Sequence, residues 1–151
     1  MRIYISGKIG EEVISEATRQ KFAKAEAMLK AKGYEIFNPC DEQWQIHLKN
    51  SYERDKGTYQ PYTGGHMPDF YSYVLLRDLM VLSTQDAIYM LADWTKSDGA
   101  NVELDFAHAT GKKLFWESLE DAQVFRDDSE TAEGVWLPIE KGGERRTPLY
   151  T

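Results

Sequence analysis

Apolar and polar residues recur along the chain with two different periods, and these periods predict where strands and helices lie. Short runs rich in β-branched and aromatic residues predict strands at 2–6, 34–37, 86–91 and 113–117. Apolar residues spaced three and four apart predict helices at 12–32, at 41–49, at 69–83, and from an N-cap at Ser97 or Asp98 to a terminator at Gly111.

Two segments have weaker patterns. Residues 50–68 are rich in glycine, proline, tyrosine and polar residues, which predicts a long loop insertion of the kind that is usually functional or mobile. Residues 118–151 form a predicted C-terminal extension. Within it, 121–126 suits a helix, and GVWLPIE at 134–140 suits either a fifth strand or a packed tail.

Strands that alternate with helices predict one α/β domain over 1–151, with a parallel sheet inside a flavodoxin-like three-layer sandwich. With right-handed crossovers the simplest strand order is 2-1-3-4, possibly with a fifth strand. Such folds bind ligands beyond the carboxyl ends of the strands, where the strand order reverses. The residues that the chain places at this edge are Ser6, Gly7, Lys8, Asn38, Asp93 and Trp94.

Composition excludes several classes of protein. The chain has 151 residues, a formal net charge of −7 and a single cysteine, Cys40. The acidic balance argues against a nucleic-acid surface, and one cysteine allows no internal disulfide. The longest apolar runs are far shorter than the roughly 20 residues of a membrane span. The chain enters a strand at once, without the pattern of a signal peptide, so we expect a cytoplasmic protein that binds neither nucleic acid nor membrane.

Glu103 is the most conspicuous charge in the sequence. On a wheel of about 100° per residue, it falls near the centre of the apolar arc of its helix, opposite Asn101, Asp105 and His108. An ionised carboxylate is costly to bury unless a partner or a reaction uses it. The pattern alone leaves two interpretations open: a buried ion pair, or a residue of a reactive site.

The helix that carries Glu103 begins at the predicted ligand-binding edge. Its N-terminus around Ser97 offers free backbone N–H groups and the positive end of the helix dipole, which suit an anion. Gly99 and Ala100 are small enough to let a ligand approach the backbone closely. The alternative is simply an N-capped helix.

Asp78 is a second carboxylate on an apolar helix face. It shares a sector of the wheel with Val74, Leu75, Val81 and Leu82, whereas its neighbour Arg77 points elsewhere. Two inward carboxylates near one strand acquire different pKa values, which can assign an acid and a nucleophile. The plainer alternative is that Asp78 bonds to a backbone N–H or to an arginine.

Other candidates have weaker signals. The three histidines, at 47, 66 and 108, lack the spacing of metal ligands, so we expect no metal and no other cofactor. SGK at 6–8 lacks the rest of a phosphate-binding loop. Some aromatic rings are placed where they could stack on a base, although most such rings simply pack in the core. They are Tyr4, Trp94 and the tyrosines at 52, 59 and 62.

Together these motifs resemble the nucleoside 2-deoxyribosyltransferase superfamily, and most of all a bacterial and phage branch of it. The motifs are RIYISG, NP after the second strand, RD with DAIYML eight residues on, W-x-x-S-x-G-A-x-x-E and GKKLFWE. The resemblance covers residues 2–117 and leaves out the long loop and the tail.

The resemblance implies roles for individual residues. Glu103 stands where relatives have the nucleophile that attacks the anomeric carbon, and Asp78 stands where an aspartate assists proton transfer to the departing base. Ser97 matches a serine that binds phosphate in the deoxynucleotide hydrolase branch, with Lys8 as a further phosphate partner. Relatives also complete their sites with a neighbouring subunit, which implies a homodimer or a larger homo-oligomer.

The sequence therefore predicts cleavage of an N-glycosidic bond, or base exchange, on a nucleoside or its 5′-monophosphate. The predicted substrate-binding residues are Ser6, Gly7, Lys8, Asn38, Trp94, Ser97, Gly99 and Ala100. Two alternatives stay open: a non-catalytic module that binds or senses a nucleotide, and a glycohydrolase that acts on a dinucleotide such as NAD.

Overall fold

A computed structural model describes residues 1–10, 13–59, 64–125 and 132–139 of the chain. Parts of several sequence predictions therefore lie outside the described residues. They are the start of the first helix at 12, the middle of the loop at 60–63, the end of the tail helix at 126, and the tail beyond 139.

The sheet has four parallel strands in the order β2-β1-β3-β4. The strands are β1 (Arg2–Ser6), β2 (Glu35–Phe37), β3 (Ala87–Met90) and β4 (Lys113–Trp116). Every residue of β3 is buried, as in a strand that helices cover on both faces. The predicted α/β fold and its 2-1-3-4 order are confirmed.

A fifth strand is absent from the described residues. Trp136 forms only an isolated parallel bridge with Trp116, supported by a hydrogen bond from the Leu137 amide to the Trp116 carbonyl. The alternative of a packed tail is therefore the correct one for this part of the chain.

Helices fill the connections between the strands. They are α1 (Glu16–Ala31), α2 (Glu42–Lys56), α3 (Phe70–Ser83), α4 (Asp98–Ala109), α5 (Leu119–Phe125) and the short α6 (Ala132–Val135). Helix α1 packs on β1 and β2, whereas α4 packs on β1, β3 and β4 with α3 beside it. Ser97 caps α4 as predicted, and Gly111 follows its end at φ 74°, in the left-handed region that glycine favours.

Two predicted boundaries are wrong. Helix α1 begins at Glu16, later than predicted, because the Ser15 side chain caps it by accepting from the Thr18 amide. Helix α2 continues to Lys56, so the first seven residues of the predicted 50–68 loop are helical. The apolar pattern of α2 is weak because only Leu48 and Ser51 of this helix are buried.

Among the described residues, no helix combines the length and the apolar character that crossing a membrane requires.

Candidate active site

Glu103 lies on α4 above the end of β1 and is only 6% exposed. The Ser6 hydroxyl donates to its Oε1 at 2.8 Å, and the Tyr4 hydroxyl donates to its Oε2. Tyr4 and Ser6 are two residues apart on β1, so their side chains point to the same face of the sheet. The strand therefore supplies both hydrogen-bond donors to the carboxylate.

Asp78 lies on α3, is 7% exposed, and joins the same group. The Trp44 indole Nε1 donates to its Oδ1 at 2.9 Å, and the charge of Asp78 acts on the Tyr4 hydroxyl, whose pKa it helps to raise. Phe37 packs against both rings, stacked on Tyr4 at 5.5 Å and edge-on to Trp44 at 5.2 Å between ring centroids. The Tyr4 hydroxyl thus bonds to Glu103 and also feels the charge of Asp78.

Burial dominates the electrostatics of this pair. It raises the pKa of Asp78 from 3.8 to about 7. It also raises the pKa of Glu103 from 4.5 to about 8, with the charge of Asp78 as the second cause. Hydrogen bonds from Tyr4 and Ser6 oppose that rise because they favour the ionised form of Glu103. In the described part of the chain, neither carboxylate forms an ion pair with a lysine, arginine or histidine.

This arrangement suits chemistry that needs one ionised and one protonated carboxyl group. Both groups titrate near neutral pH, and the negative charge of one disfavours ionisation of the other. A carboxylate nucleophile beside a carboxylic acid is the pair that retaining glycoside cleavage uses. The buried ion pair that the sequence left open for Glu103 is not formed with any described residue.

The start of α4 brings three predicted site residues close to Glu103 along the same helix. The Ser97 side chain accepts from the Ala100 amide at 3.1 Å, and Ala100 is buried one turn before Glu103. A Cβ atom on Gly99 would lie 3.4 Å from the Tyr71 hydroxyl oxygen of α3. This is an ordinary contact distance, so the packing of α3 against α4 does not require glycine at this position.

The loop after β1 is held tightly through its backbone. A Cβ atom on Gly7 would lie 2.7 Å from Cδ1 of Leu91, so only glycine fits there. The Lys8 amide donates to Asp93 Oδ1 at 3.0 Å, and the Lys8 carbonyl accepts from Lys21 Nζ at 2.9 Å. Lys8 itself is exposed. This loop fixes Ser6 and leaves the Lys8 side chain at the surface.

Two predicted substrate-binding residues have other partners. The Asn38 side chain holds its own turn, because it accepts from the Cys40 amide at 2.8 Å and donates to Glu26 at 3.1 Å. Trp94 packs on Trp116, and its indole N–H donates to Asp121 at 3.1 Å. The geometry joins neither side chain to the carboxylate pair, so their substrate contacts stay a prediction.

Two residues of the site were missed by the sequence interpretation. Tyr4 was considered only as a stacking ring, although its position two residues before Ser6 on one strand was a signal that both face α4. Trp44 carried no sequence signal, because its contact with Asp78 depends on how α2 packs against α3.

No group of three or more histidine, cysteine, aspartate or glutamate side chains suited to a metal ion occurs in the ranges that the structure describes.

Comparisons with known proteins agree with this fold. Residues 65–116 match the model of a family described as a domain of unknown function, DUF4406. This segment includes both Asp78 and Glu103. No curated protein matches the sequence.

A similar solved structure is that of a 2-deoxyribosyltransferase from the psychrotolerant bacterium Bacillus psychrosaccharolyticus. The TM-score is 0.50 and the sequence identity is 15%, over 93% of this chain and 99% of that one. At this identity the similarity establishes the fold alone. The predicted resemblance to nucleoside 2-deoxyribosyltransferases is therefore confirmed at the level of the fold.

Proposed function

We propose that this protein cleaves the N-glycosidic bond of a nucleoside or nucleoside 5′-monophosphate through a covalent intermediate on Glu103. The observation that carries the proposal is the buried pair of Glu103 and Asp78, whose charges act on each other and which have no ion-pair partner among the described residues. Perturbed carboxylates of this kind mark reactive sites more often than structural ones when they lie at the ligand-binding edge of the fold.

The chemistry balances with these two carboxyl groups alone. Glu103 has the higher pKa of the two groups, so the shared proton must first pass from Glu103 to Asp78. The ionised Glu103 oxygen then attacks the anomeric carbon, the bond from that carbon to the base nitrogen breaks, and the base leaves with the bonding electrons and the proton from Asp78. The glycosyl ester is then attacked by water, or by a second base, which gives its proton to Asp78 and releases the Glu103 carboxylate. Ser6 and Tyr4 hold the Glu103 oxygens during both steps.

A 5′-phosphate would have donors at the start of α4. The Ser97 amide donates to the Trp94 carbonyl, and the Ala100 amide donates to the Ser97 side chain. Of the three predicted residues, Gly99 would therefore offer its backbone N–H to a phosphate. The exposed Lys8 adds a cation from the β1 loop. We therefore include the nucleotide beside the nucleoside as a substrate.

The proposal also covers the state of the protein in the cell. We propose a single domain over 1–151 that acts in the cytoplasm as a homodimer or larger homo-oligomer. The apolar side chains of Leu76 and Met80 on α3 support association, since they are 54% and 65% exposed.

The test is incubation with a panel of nucleosides, their 5′-monophosphates and NAD, with release of free base followed by chromatography. Addition of a second base separates transfer from hydrolysis, and intact-protein mass spectrometry detects the glycosyl ester. Wild type releases base and Glu103→Ala does not. Equal release by both proteins would disprove the mechanism.

One observation favours a second candidate function, a module that binds a nucleotide without turnover. Both carboxylates are more than nine-tenths buried, as in a site that is closed to solvent. This candidate predicts thermal stabilisation by a ligand of the panel with no base released from any of them.

A further inference from the structure

Trp44 contacts only one of the two carboxyl oxygens of Asp78. Its indole Nε1 donates to Oδ1 at 2.9 Å. An indole N–H is a donor and never an acceptor. The oxygen that faces it must therefore keep a lone pair toward the indole, whatever the protonation state of Asp78.

The surrounding side chains fix the indole ring. Phe37 meets it edge-on at 5.2 Å, and the His47 ring lies at 5.6 Å between centroids. The Arg77 guanidinium lies 5.8 Å from the centroid of the same ring. Arg77 also contacts His47 Nε2 at 3.2 Å and donates to the Tyr73 hydroxyl at 2.8 Å. Contacts with three side chains thus limit rotation of Trp44 away from Asp78.

A carboxylic acid carries its proton on one oxygen, and the oxygen that carries it is the weaker acceptor. With Oδ1 committed to the indole, protonation is favoured on Oδ2. We propose that Trp44 is a positioning residue that confines the acidic proton of Asp78 to Oδ2 and so sets the direction from which that proton is delivered. The catalytic half of this inference rests on the proposed function, whereas the placement of the proton does not.

The electrostatics of Asp78 agree with this geometry. Burial raises the pKa of Asp78, and the hydrogen bond from Trp44 is the first of the causes that lower it. Removal of the indole N–H should therefore raise the pKa of Asp78 further, because the ionised form loses a donor.

The first experiment needs no substrate. Carboxyl carbons are labelled with carbon-13, the Asp78 signal is assigned with Asp78→Asn, and its titration is followed by NMR. In Trp44→Phe, which keeps an aromatic ring against Phe37, the Asp78 midpoint moves to higher pH. The matched control is Trp136→Phe, which removes an indole N–H bonded to the Glu117 carbonyl at 3.0 Å and leaves the Asp78 midpoint unchanged. An unchanged midpoint in Trp44→Phe would overturn the proposal.

A second variant covers the case in which Trp44→Phe does not fold. Site-specific replacement of Trp44 by β-(3-benzothienyl)alanine exchanges the N–H for sulfur and keeps the shape of the ring. The same upward shift of the Asp78 midpoint is expected, and its absence counts against the proposal in the same way.

The second experiment is kinetic. For whichever substrate releases base, Trp44→Phe lowers kcat by about tenfold, within the range for a general acid, and leaves KM within about twofold. The basic limb of its kcat profile moves to higher pH together with the NMR midpoint. A rise in KM with unchanged kcat would assign Trp44 to substrate binding and overturn the positioning role. If no member of the panel releases base, the proposed function fails, and the NMR titration still tests whether the Trp44 N–H stabilises the ionised form of Asp78.

Discussion

Asp93 lies at the same edge of the sheet as the pair Glu103 and Asp78, but its surroundings stabilise a negative charge and those of the pair do not. Asp93 follows β3, is ion-paired with Lys21, and accepts from the Lys8 amide, with both charged side chains about 30% exposed. Glu103 and Asp78 are buried, and from the residues that the structure describes they receive only hydroxyl and indole donors.

The difference separates a structural carboxylate from the two carboxylates that we propose to be reactive. Both Asp93 oxygens are occupied, and the ion pair ties the loop after β1 to the loop after β3 and to α1. Water and a cation already stabilise this charge. Glu103 and Asp78 lack such stabilisation, so their protonation is poised near neutral pH, where a change of charge can accompany a reaction.

The largest effect is expected at Glu103. Glu103→Gln keeps the size of the side chain and one acceptor oxygen for the hydroxyls of β1, replaces the other oxygen by an NH2 donor, and removes the nucleophile. We expect the rate of base release to fall by at least about 10³-fold, as for other nucleophile deletions. Measurement is by chromatography with the best substrate of the panel. A loss of less than about tenfold would place Glu103 with Asp93 among the structural carboxylates.

Tyr4→Phe should have an intermediate effect on turnover. The hydroxyl donates to Glu103, and a hydrogen bond to a charged group contributes about 1.5–3 kcal/mol, or roughly 10- to 100-fold in rate. The control is Tyr89→Phe, which removes another buried hydroxyl, one that donates to the Leu137 carbonyl. Base release that falls equally in both variants would mean that Tyr4 acts only through general stability.

The pH dependence of the free energy of unfolding should distinguish Glu103 and Asp78 from the ion-paired Asp93, and this test needs no substrate. Folding raises the pKa of Glu103 from 4.5 to about 8, so the folded protein binds protons more tightly than the unfolded chain. The free energy of unfolding therefore falls as pH rises from about 4 through about 8. In Glu103→Gln this fall is shallower, and Tm should exceed that of wild type by a few degrees at about pH 8, at about 2–4 °C for each kcal/mol. Scanning calorimetry of wild type and Glu103→Gln across this pH range measures the difference in Tm. A difference that does not change with pH would contradict the shifted pKa of Glu103.

The smallest effect is expected at Asp93. Asp93→Asn can still accept from the Lys8 amide but loses the charge that pairs with Lys21. Partly exposed ion pairs contribute at most about 1 kcal/mol, so turnover should stay within about fivefold of wild type and Tm should fall by a few degrees at most. A loss of turnover as deep as that of Tyr4→Phe would remove the distinction between the two carboxylate groups.

The sequence predicted the fold well because few strand arrangements are possible in this topology. Four apolar runs separated by periodic helices leave few arrangements once crossovers are right-handed, and the 2-1-3-4 sheet follows. The inward directions of Glu103 and Asp78 were also predictable, because each lies within one regular helix whose apolar face defines the core. These are properties of a single element and its period.

The missed and misplaced features depend on contacts between elements. The end of α2 was misjudged because polar residues such as Arg54 and Lys56 cover its surface, and only packing against α3 shows that the helix continues. Trp94 lies at the correct edge of the sheet, but its ring packs with Trp116 and Phe125. The indole of Trp94 could pack against the core or face the ligand-binding edge. The local sequence does not determine which of the two it does.

The single hydroxyl of Tyr4 has a consequence for reversibility. It donates its one hydrogen to Glu103, and the charge of Asp78 acts on the same hydroxyl. Transfer of the carboxylic proton from one of these carboxyl groups to the other, with rotation of that hydroxyl, gives two tautomers of identical total charge. Interconversion of the two tautomers needs no exchange of a proton with solvent. Under the proposed mechanism, such a pair would run bond cleavage and bond formation with the same residues, since the acid of one direction becomes the base of the other.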